Sequence, residues 1–388
     1  MKRKLKRSRQ SVFGKRGMPP ALRTVLWVVV CVAVVAAGYF GAMLASKGGV
    51  STPDTSVDTS VGAPDNSDSD SRPDTPAPPA DTPDVTASIR AFYLPYSALS
   101  AEDLASTLTA AQQAGFNAVV FDLKDAEGNL YYRFSGTQAA KVNTFTADAL
   151  TAEGLTTLFS LMRDNGLQPI PRLYAFRDNL GAKALADARI MLNSNHSWGW
   201  YDADPNNGGR RWLNPYSDAA HAYIQSLASE LKDQGAAAIL LDGVQFPHQL
   251  KDAYFGEDAA TITKDAALTA FVRDTRTLLG EDCPLLLSCT AESALGTATQ
   301  IYGGNPLTFG AVAVSPALSS NIKESVEKMV LRTQVLDPKP ALAPLLSADG
   351  LTAGQIADAV TACVSGGADS FILYQSEGQY DFPSCRLP

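Results

Sequence analysis

The sequence predicts an α/β chain whose main domain is a (β/α)8 TIM barrel, preceded by a single transmembrane helix and a disordered linker. Three observations carry the barrel. From residue 89 onward an amphipathic helical stretch, a glycine and an apolar run recur as one unit. The apolar runs are continuous rather than alternating, which suits parallel strands buried on both faces. Eight such runs fit into about 300 residues, an ordinary size for this barrel. A doubly wound open sheet is the alternative fold; it would usually place a Gly-rich phosphate loop after its first strand, and the chain has none.

Taken in order, the first strand is expected at 89–94, followed by a helix opened by a Ser100 and Asp103 capping box and closed at Gly115. The second strand is expected at 116–122. A helix at 151–165 stops at Gly166 and leads into the third strand, 168–176. A helix at 217–234 stops at Gly235, and the apolar run that follows ends at a single carboxylate, Asp242. Pro247 cannot donate to a ladder, so this fourth strand is over by that point. Later strands are expected at 284–288, 311–315, 341–346 and 370–374. The helices between them fall near 264–279, 321–335 and 352–365, the last capped by Thr352 with Gln355. Only 14 residues follow Tyr374, which leaves the eighth helix without a segment.

Composition sets the other boundaries. Residues 1–23 hold nine Lys and Arg and no acid, and residues 24–45 carry no charge at all. At about 1.5 Å rise per residue the uncharged segment spans the roughly 30 Å hydrocarbon layer. A cleaved signal peptide has a shorter apolar region, about 7 to 15 residues, and a small-x-small cleavage site, so 24–45 reads as an uncleaved signal-anchor. Basic residues keep their side in the cytoplasm. The N-terminal tail is then cytoplasmic, the chain a single-pass protein of the cell membrane, and everything after Ser46 extracellular. Residues 46–88, rich in Ser, Thr, Pro and Asp, cannot bury enough apolar surface to offset their ordering entropy. As a solvated tether their ends would sit on the order of 35 Å apart. The barrel takes 89–388 and is expected to be monomeric.

The formal charge of −8 conceals a more acidic domain, with 21 bases against 32 acids from residue 87 onward. Such a balance has no electrostatic footprint for nucleic acid. Cys31 lies in the apolar segment. Cys283, Cys289, Cys363 and Cys385 allow three pairings, and with no Cys-x-x-Cys pair the plainer reading is buried free thiols or one incidental disulfide. His196, His221 and His248 lack metal-ligand spacing. No nucleophile elbow, phosphate loop or zinc pattern occurs, so neither a metal nor another cofactor is expected.

Function in a barrel is read at the C-terminal ends of its strands. There stand Asp122 and Asp125 after strand two, Asp178 after strand three, Asp242 at strand four and Glu292 just beyond strand five. Carboxylates converging on one mouth suit glycoside hydrolysis, one protonating the leaving oxygen and another acting as nucleophile or base. Any one of them alone reads first as a helix cap or a loop ion pair; the shared position at the rim brings the functional reading of Asp242 level with that one. The loop from His196 to Tyr216 carries Trp198, Trp200, Tyr201, Trp212 and Tyr216, flat faces for sugar rings, with Arg210 and Arg211 as donors. At least half of these rings are expected simply to pack the loop, and at least one tryptophan to stand in the mouth.

Four segments, Val119-Val-Phe-Asp-Leu-Lys-Asp-Ala-Glu-Gly, Pro169-Ile-Pro-Arg-Leu-Tyr-Ala-Phe-Arg-Asp178, Arg211-Trp-Leu-Asn-Pro-Tyr216 and Leu241-Asp-Gly-Val-Gln-Phe-Pro247, resemble a glycoside hydrolase-like family of bacterial TIM-barrel domains, formerly a domain of unknown function. The resemblance covers most of 89–388 and makes this chain a divergent member. It implies site roles for Asp122, Lys124, Asp125, Arg172, Asp178, Trp212, Tyr216 and Asp242; Tyr174 and Gln245 are further candidate substrate contacts on this chain's own pattern. By analogy with the wider amylase-like barrels, the strand-four acid is the nucleophile and an acid after strand five the proton donor. The departures fall at Gly243 and Gln245, where the family has an aromatic and an arginine, and at Cys289 or Thr290, where it has an aspartate.

Two functions follow. One is a surface-anchored glycosidase acting on a cell-envelope or environmental polysaccharide, with Asp242 as nucleophile or base and Glu292, Asp125 or Asp122 completing the catalytic set. Lys124, Arg172, Tyr174, Asp178, Trp198, Trp200, Trp212, Tyr216 and Gln245 would then hold the polysaccharide or oligosaccharide. The other is a degenerate barrel that binds glycan, or scaffolds, without cleaving. The two differ in the distance from Asp242 to its nearest acid across the mouth.

Overall fold

The computed structural model describes residues 88–382 and Leu387. The basic tail, the signal-anchor, most of the linker and Cys385 lie outside the described residues. Among the described residues no helix is long and apolar enough to cross a membrane.

Eight parallel strands close into a barrel. They are β1 (Arg90–Leu94), β2 (Ala118–Lys124), β3 (Gln168–Tyr174), β4 (Ile239–Asp242), β5 (Leu285–Thr290), β6 (Ala313–Leu318), β7 (Leu345–Ser347) and β8 (Phe371–Tyr374). Each pairs with its chain neighbours, and closure is made where β1 meets both β2 and β8, with Phe92 opposite Val119 and Leu373. The major helices are α1 (Leu104–Gln113), α2 (Ala152–Asp164), α3 (Asp218–Asp233), α4 (Lys264–Leu279), α5 (Ala291–Ala294), α6 (Ile322–Thr333) and α7 (Ala353–Ser365).

Period two sorts the strand residues. Ala91, Tyr93, Ala118, Val120, Ile170, Leu240, Leu286, Ala313 and Ile372 form one cluster inside the barrel. Phe92, Val119, Phe121, Leu241, Leu287 and Val314 join the larger core between strands and helices. Continuing the inward parity toward the C-terminal ends reaches Asp122, Arg172 and Asp242, which is why polar groups gather at that mouth.

One expectation needs correction. Ser100 ends a 3-10 turn (Tyr96–Ser100) instead of capping a helix, and α1 begins after Asp103 with no side-chain cap. The Thr352–Gln355 capping box is present. Between β2 and α2 the chain adds a strand, Leu130–Tyr132, antiparallel to β2, and a second, Phe145–Leu150, beside it. A small sheet separate from the barrel's joins Met191–Leu192 and Asn195–Gly199, which follow β3, to Ala253–Tyr254, which follows β4. Among the described residues no helix follows β8; Phe382 instead packs edge-on against Phe92 and Phe116.

Candidate active site

The mouth is organised by Arg172. Its Nε and Nη2 donate to the two oxygens of Asp122 at 2.6 and 3.0 Å, a bidentate pair across adjacent strands. Tyr93 donates its hydroxyl to Asp122 Oδ2 at 2.7 Å. On the other edge Nη1 stands 3.5 Å from Asp242 Oδ2. The guanidinium lies 4.7 Å from the Tyr93 ring, 5.2 Å from Tyr174 and 5.6 Å from Tyr374, within cation–π range. Tyr93 and Tyr374 stack on each other at 4.6 Å. Arg172 is 5 % exposed, yet burial is outweighed by the two aspartates, and its pKa stays well above the ordinary value. Burial, then Asp122, raises the Tyr93 phenol; burial, then Asp242, raises that of Tyr174.

Asp242 is the acid left open, with its side chain 21 % exposed. Its Oδ1 accepts from Gly243 N at 2.7 Å in a turn where Gly243 takes φ +63°, a left-handed conformation that suits glycine. Tyr302 donates to Gln245 Oε1 at 3.3 Å beside it. Cys289, where the resemblance places an acid, is a buried thiol pushed upward by burial and then by Asp242. Summed across one guanidinium, the contacts put the Asp122 and Asp242 oxygens at most about 8.5 Å apart, below the roughly 9.5 Å upper limit of an inverting pair. The space that a water would need is filled by Arg172.

The remaining candidates lie elsewhere. Asp125 is a loop organiser: it accepts from the backbone N–H of Glu127, Gly128 and Asn129, from the Asn129 amide and from the Tyr131 hydroxyl. Glu292 is exposed in the first turn of α5. Lys124 and Asp178, expected at the mouth, are both fully buried and form an ion pair at 2.9 Å. The register slips from Asp122 opposite Arg172 to Lys124 opposite Leu173. Two residues of β2 thus face one of β3, a bulge that turns Lys124 out of the barrel. There it meets the carbonyl of Tyr174 and the Tyr223 ring. Both side chains are sealed from solvent by this pairing.

The aromatic loop divides likewise. Trp200 and Trp212 are 3 % and 5 % exposed, pack with Ile190, and tie their indole N–H groups to Lys251 O and Asp202 Oδ2. They hold the loop and present no face to sugar. Trp198 is 65 % exposed. Tyr216 is half-buried, its hydroxyl on Ile262 O. Arg210 pairs with Glu127 at 2.6 Å, and Arg211 lies over Tyr201. Sequence reasoning missed Tyr93 and Tyr374. Their inward parity near the ends of β1 and β8 was the available signal.

Residues 91–289, half of the chain, match the family described as "Putative glycosyl hydrolase domain". No curated protein matches the sequence. Among solved structures the chain is similar to a hypothetical protein from Ruminiclostridium thermocellum ATCC 27405, at 20% identity and TM-score 0.44, covering 50% of this chain and 96% of that one. It is also similar to the glycoside hydrolase domain of PelA from Pseudomonas aeruginosa, at 13% identity and TM-score 0.42, covering 76% and 97%. A third is an exo-β-N-acetylglucosaminidase from Vibrio harveyi in complex with N-acetylglucosamine, at 10% identity and TM-score 0.45, covering 67% of this chain and 41% of that enzyme.

Proposed function

We propose that this chain, which belongs to the glycosyl hydrolase domain family, holds a glycan at the Asp242 mouth of its barrel without cleaving it. One observation carries the reading: Arg172 lies between Asp122 and Asp242 and commits the first of them on both oxygens. Cleavage of the usual kind needs two carboxyl groups flanking the bond, one of them able to deliver a proton. Asp122 and Asp125 are both fully engaged by donors. Asp242 keeps acceptor capacity for sugar hydroxyls, and the half-buried Tyr174 and Tyr374 rings beside Arg172 give apolar edges for a sugar face. Gln245 and the exposed Trp198 extend the binding surface.

The signal-anchor at 24–45 and the linker at 46–88 would present the barrel outside the membrane as a monomer. The glycan is then a cell-envelope or environmental polysaccharide. A second reading is hydrolysis with Asp242 as nucleophile or base and Glu292 as acid. Family membership favours it, as does an exposed Glu292 that follows β5 at the same end of the barrel.

The test is a panel of envelope and plant polysaccharides, scored for binding by affinity electrophoresis and for cleavage by release of reducing ends. Binding that Asp242→Asn weakens at least tenfold, with no reducing ends released, supports the first reading. Turnover abolished by both Asp242→Asn and Glu292→Gln replaces it with the second. Binding indifferent to Asp242→Asn removes the mouth from either.

A further inference from the structure

A second hollow opens on the same face of the barrel, beside strand β4. It is lined by Tyr216, Phe246, Phe255, Ile262 and Lys264 among others, and encloses about 540 Å³. Small-molecule sites usually run from about 300 to 1,000 Å³. Its position follows from topology. Tyr216 stands just before α3, Phe246 lies four residues beyond Asp242, and Lys264 opens α4. Helices that follow barrel strands begin at the end where the strands finish, the end that carries Asp242. Another hollow, about 830 Å³, is lined by Pro284, Val312 and Pro340, residues preceding strands, and so lies at the opposite end.

The walls are three rings tilted against one another: Tyr216 to Phe246 at 5.3 Å, Tyr216 to Phe255 at 6.0 Å, and Phe246 to Phe255 at 5.5 Å. The Tyr216 hydroxyl is anchored on Ile262 O at 3.1 Å, which fixes the ring. Lys264 Nζ lies 5.3 Å from the Phe246 centroid. It forms no ion pair among the described residues, and its hydrogen bond to Gln300 O is long, 3.4 Å. Burial draws its pKa down, so the charged form lacks part of its hydration. Asp265, next in the chain, sends its charge toward Tyr216. An ammonium with free donors at the rim of an aromatic groove is complementary to a ring that carries a carboxylate.

We propose that this groove is a subsite for a carboxylated sugar, a uronate residue of the bound glycan, whose ring lies on Tyr216 and Phe255 and whose carboxylate meets Lys264. The inference rests on the reading of the mouth as a glycan site and narrows the glycan to an acidic one.

The experiment titrates the full chain in detergent with trigalacturonate and with its methyl ester, which keeps the rings and removes the charge. The acid is expected to bind at least tenfold more tightly than the ester. Lys264→Met should erase that preference while leaving ester binding in place, and Lys264→Arg should keep it. Asp242→Asn should weaken acid and ester alike. Equal binding of acid and ester, a preference that survives Lys264→Met, or no binding of trigalacturonate at millimolar concentration overturns the proposal. The two readings fail separately: an Asp242→Asn that changes nothing while Lys264→Met erases the preference removes the mouth and leaves the groove. A groove built for neutral sugar would appear as a preference for the ester, which also overturns the proposal.

Discussion

The Nη1 of Arg172 lies 3.5 Å from Oδ2 of Asp242, while the other edge of the same guanidinium holds Asp122 at 2.6 and 3.0 Å. This inequality separates a structural acid from an available one. Removing one partner of a buried pair leaves an uncompensated charge and costs about 3–5 kcal/mol. Arg172→Met is therefore expected to destabilise by that amount in urea titration, and Arg172→Met with Asp122→Asn should recover part of it. The Asp242 contact is longer and partly wet, closer to a surface pair at about 0–1 kcal/mol. Asp242→Asn should accordingly leave the urea midpoint nearly unchanged, so a loss of binding in that variant is not a loss of fold.

The Lys124–Asp178 pair depends on a glycine. A Cβ at Gly128 would stand 2.0 Å from Asp178 Oδ1, and Gly128 has φ +102°. Gly128→Ala must displace the carboxylate from Lys124, and we expect about 3 kcal/mol or more of destabilisation by thermal melting. Gly354 in α7 meets nothing within 4 Å. There the same substitution should be neutral or stabilise by up to about 0.5–1 kcal/mol. Equal effects at the two positions would mean that the ion pair does not govern the site.

How much of this was legible differs between backbone and side chain. Strand positions were readable because a buried parallel strand has to be apolar on both faces, as 236–241 is, and because glycines such as Gly166 and Gly235 end the helices before them. Asp242 was readable for the same reason, as the first charge after such a run. The partner of each acid was not. Whether Asp122 serves chemistry or Arg172 depends on register, and the bulge that sends Lys124 outward leaves no mark on the sequence. Nor did composition distinguish Trp198 from Trp200: both are tryptophans in one loop, and only packing against Ile190 and Trp212 buries the second.

Three thiols are sealed in the barrel. Cys283, Cys289 and Cys363 are free and buried, and burial pushes Cys283 and Cys363 up to about 12. The thiolate is the reactive species, so in a Cys31→Ser, Cys385→Ser background a disulfide reagent should label the folded chain at least about a hundredfold more slowly than the chain in urea. The same shifts fix a sign. The unfolded thiol ionises near its ordinary value and the folded one does not. Their contribution is therefore complete below about pH 9 and is lost as pH rises toward 12. Cys283→Ala with Cys363→Ala should flatten that alkaline fall in the urea midpoint.

His221 sets the matching limit on the acid side. Its Nε2 meets Pro215 O at 2.8 Å, and its ring sits 5.0 Å from Phe271 and 5.8 Å from Phe176. Burial lowers its pKa, and the Pro215 carbonyl and the charges of Asp218 and Asp274 only partly oppose this. A lowered folded value means that the unfolded chain takes up the proton first as pH falls through about 6.5. The neutral ring's contribution is full above that pH and lost below it. Urea midpoints between pH 7.5 and 5 should decline, and His221→Phe, which keeps the ring contacts and removes the titration, should reduce the slope. An unchanged slope in that variant would place the acid sensitivity of the barrel in its carboxylates instead.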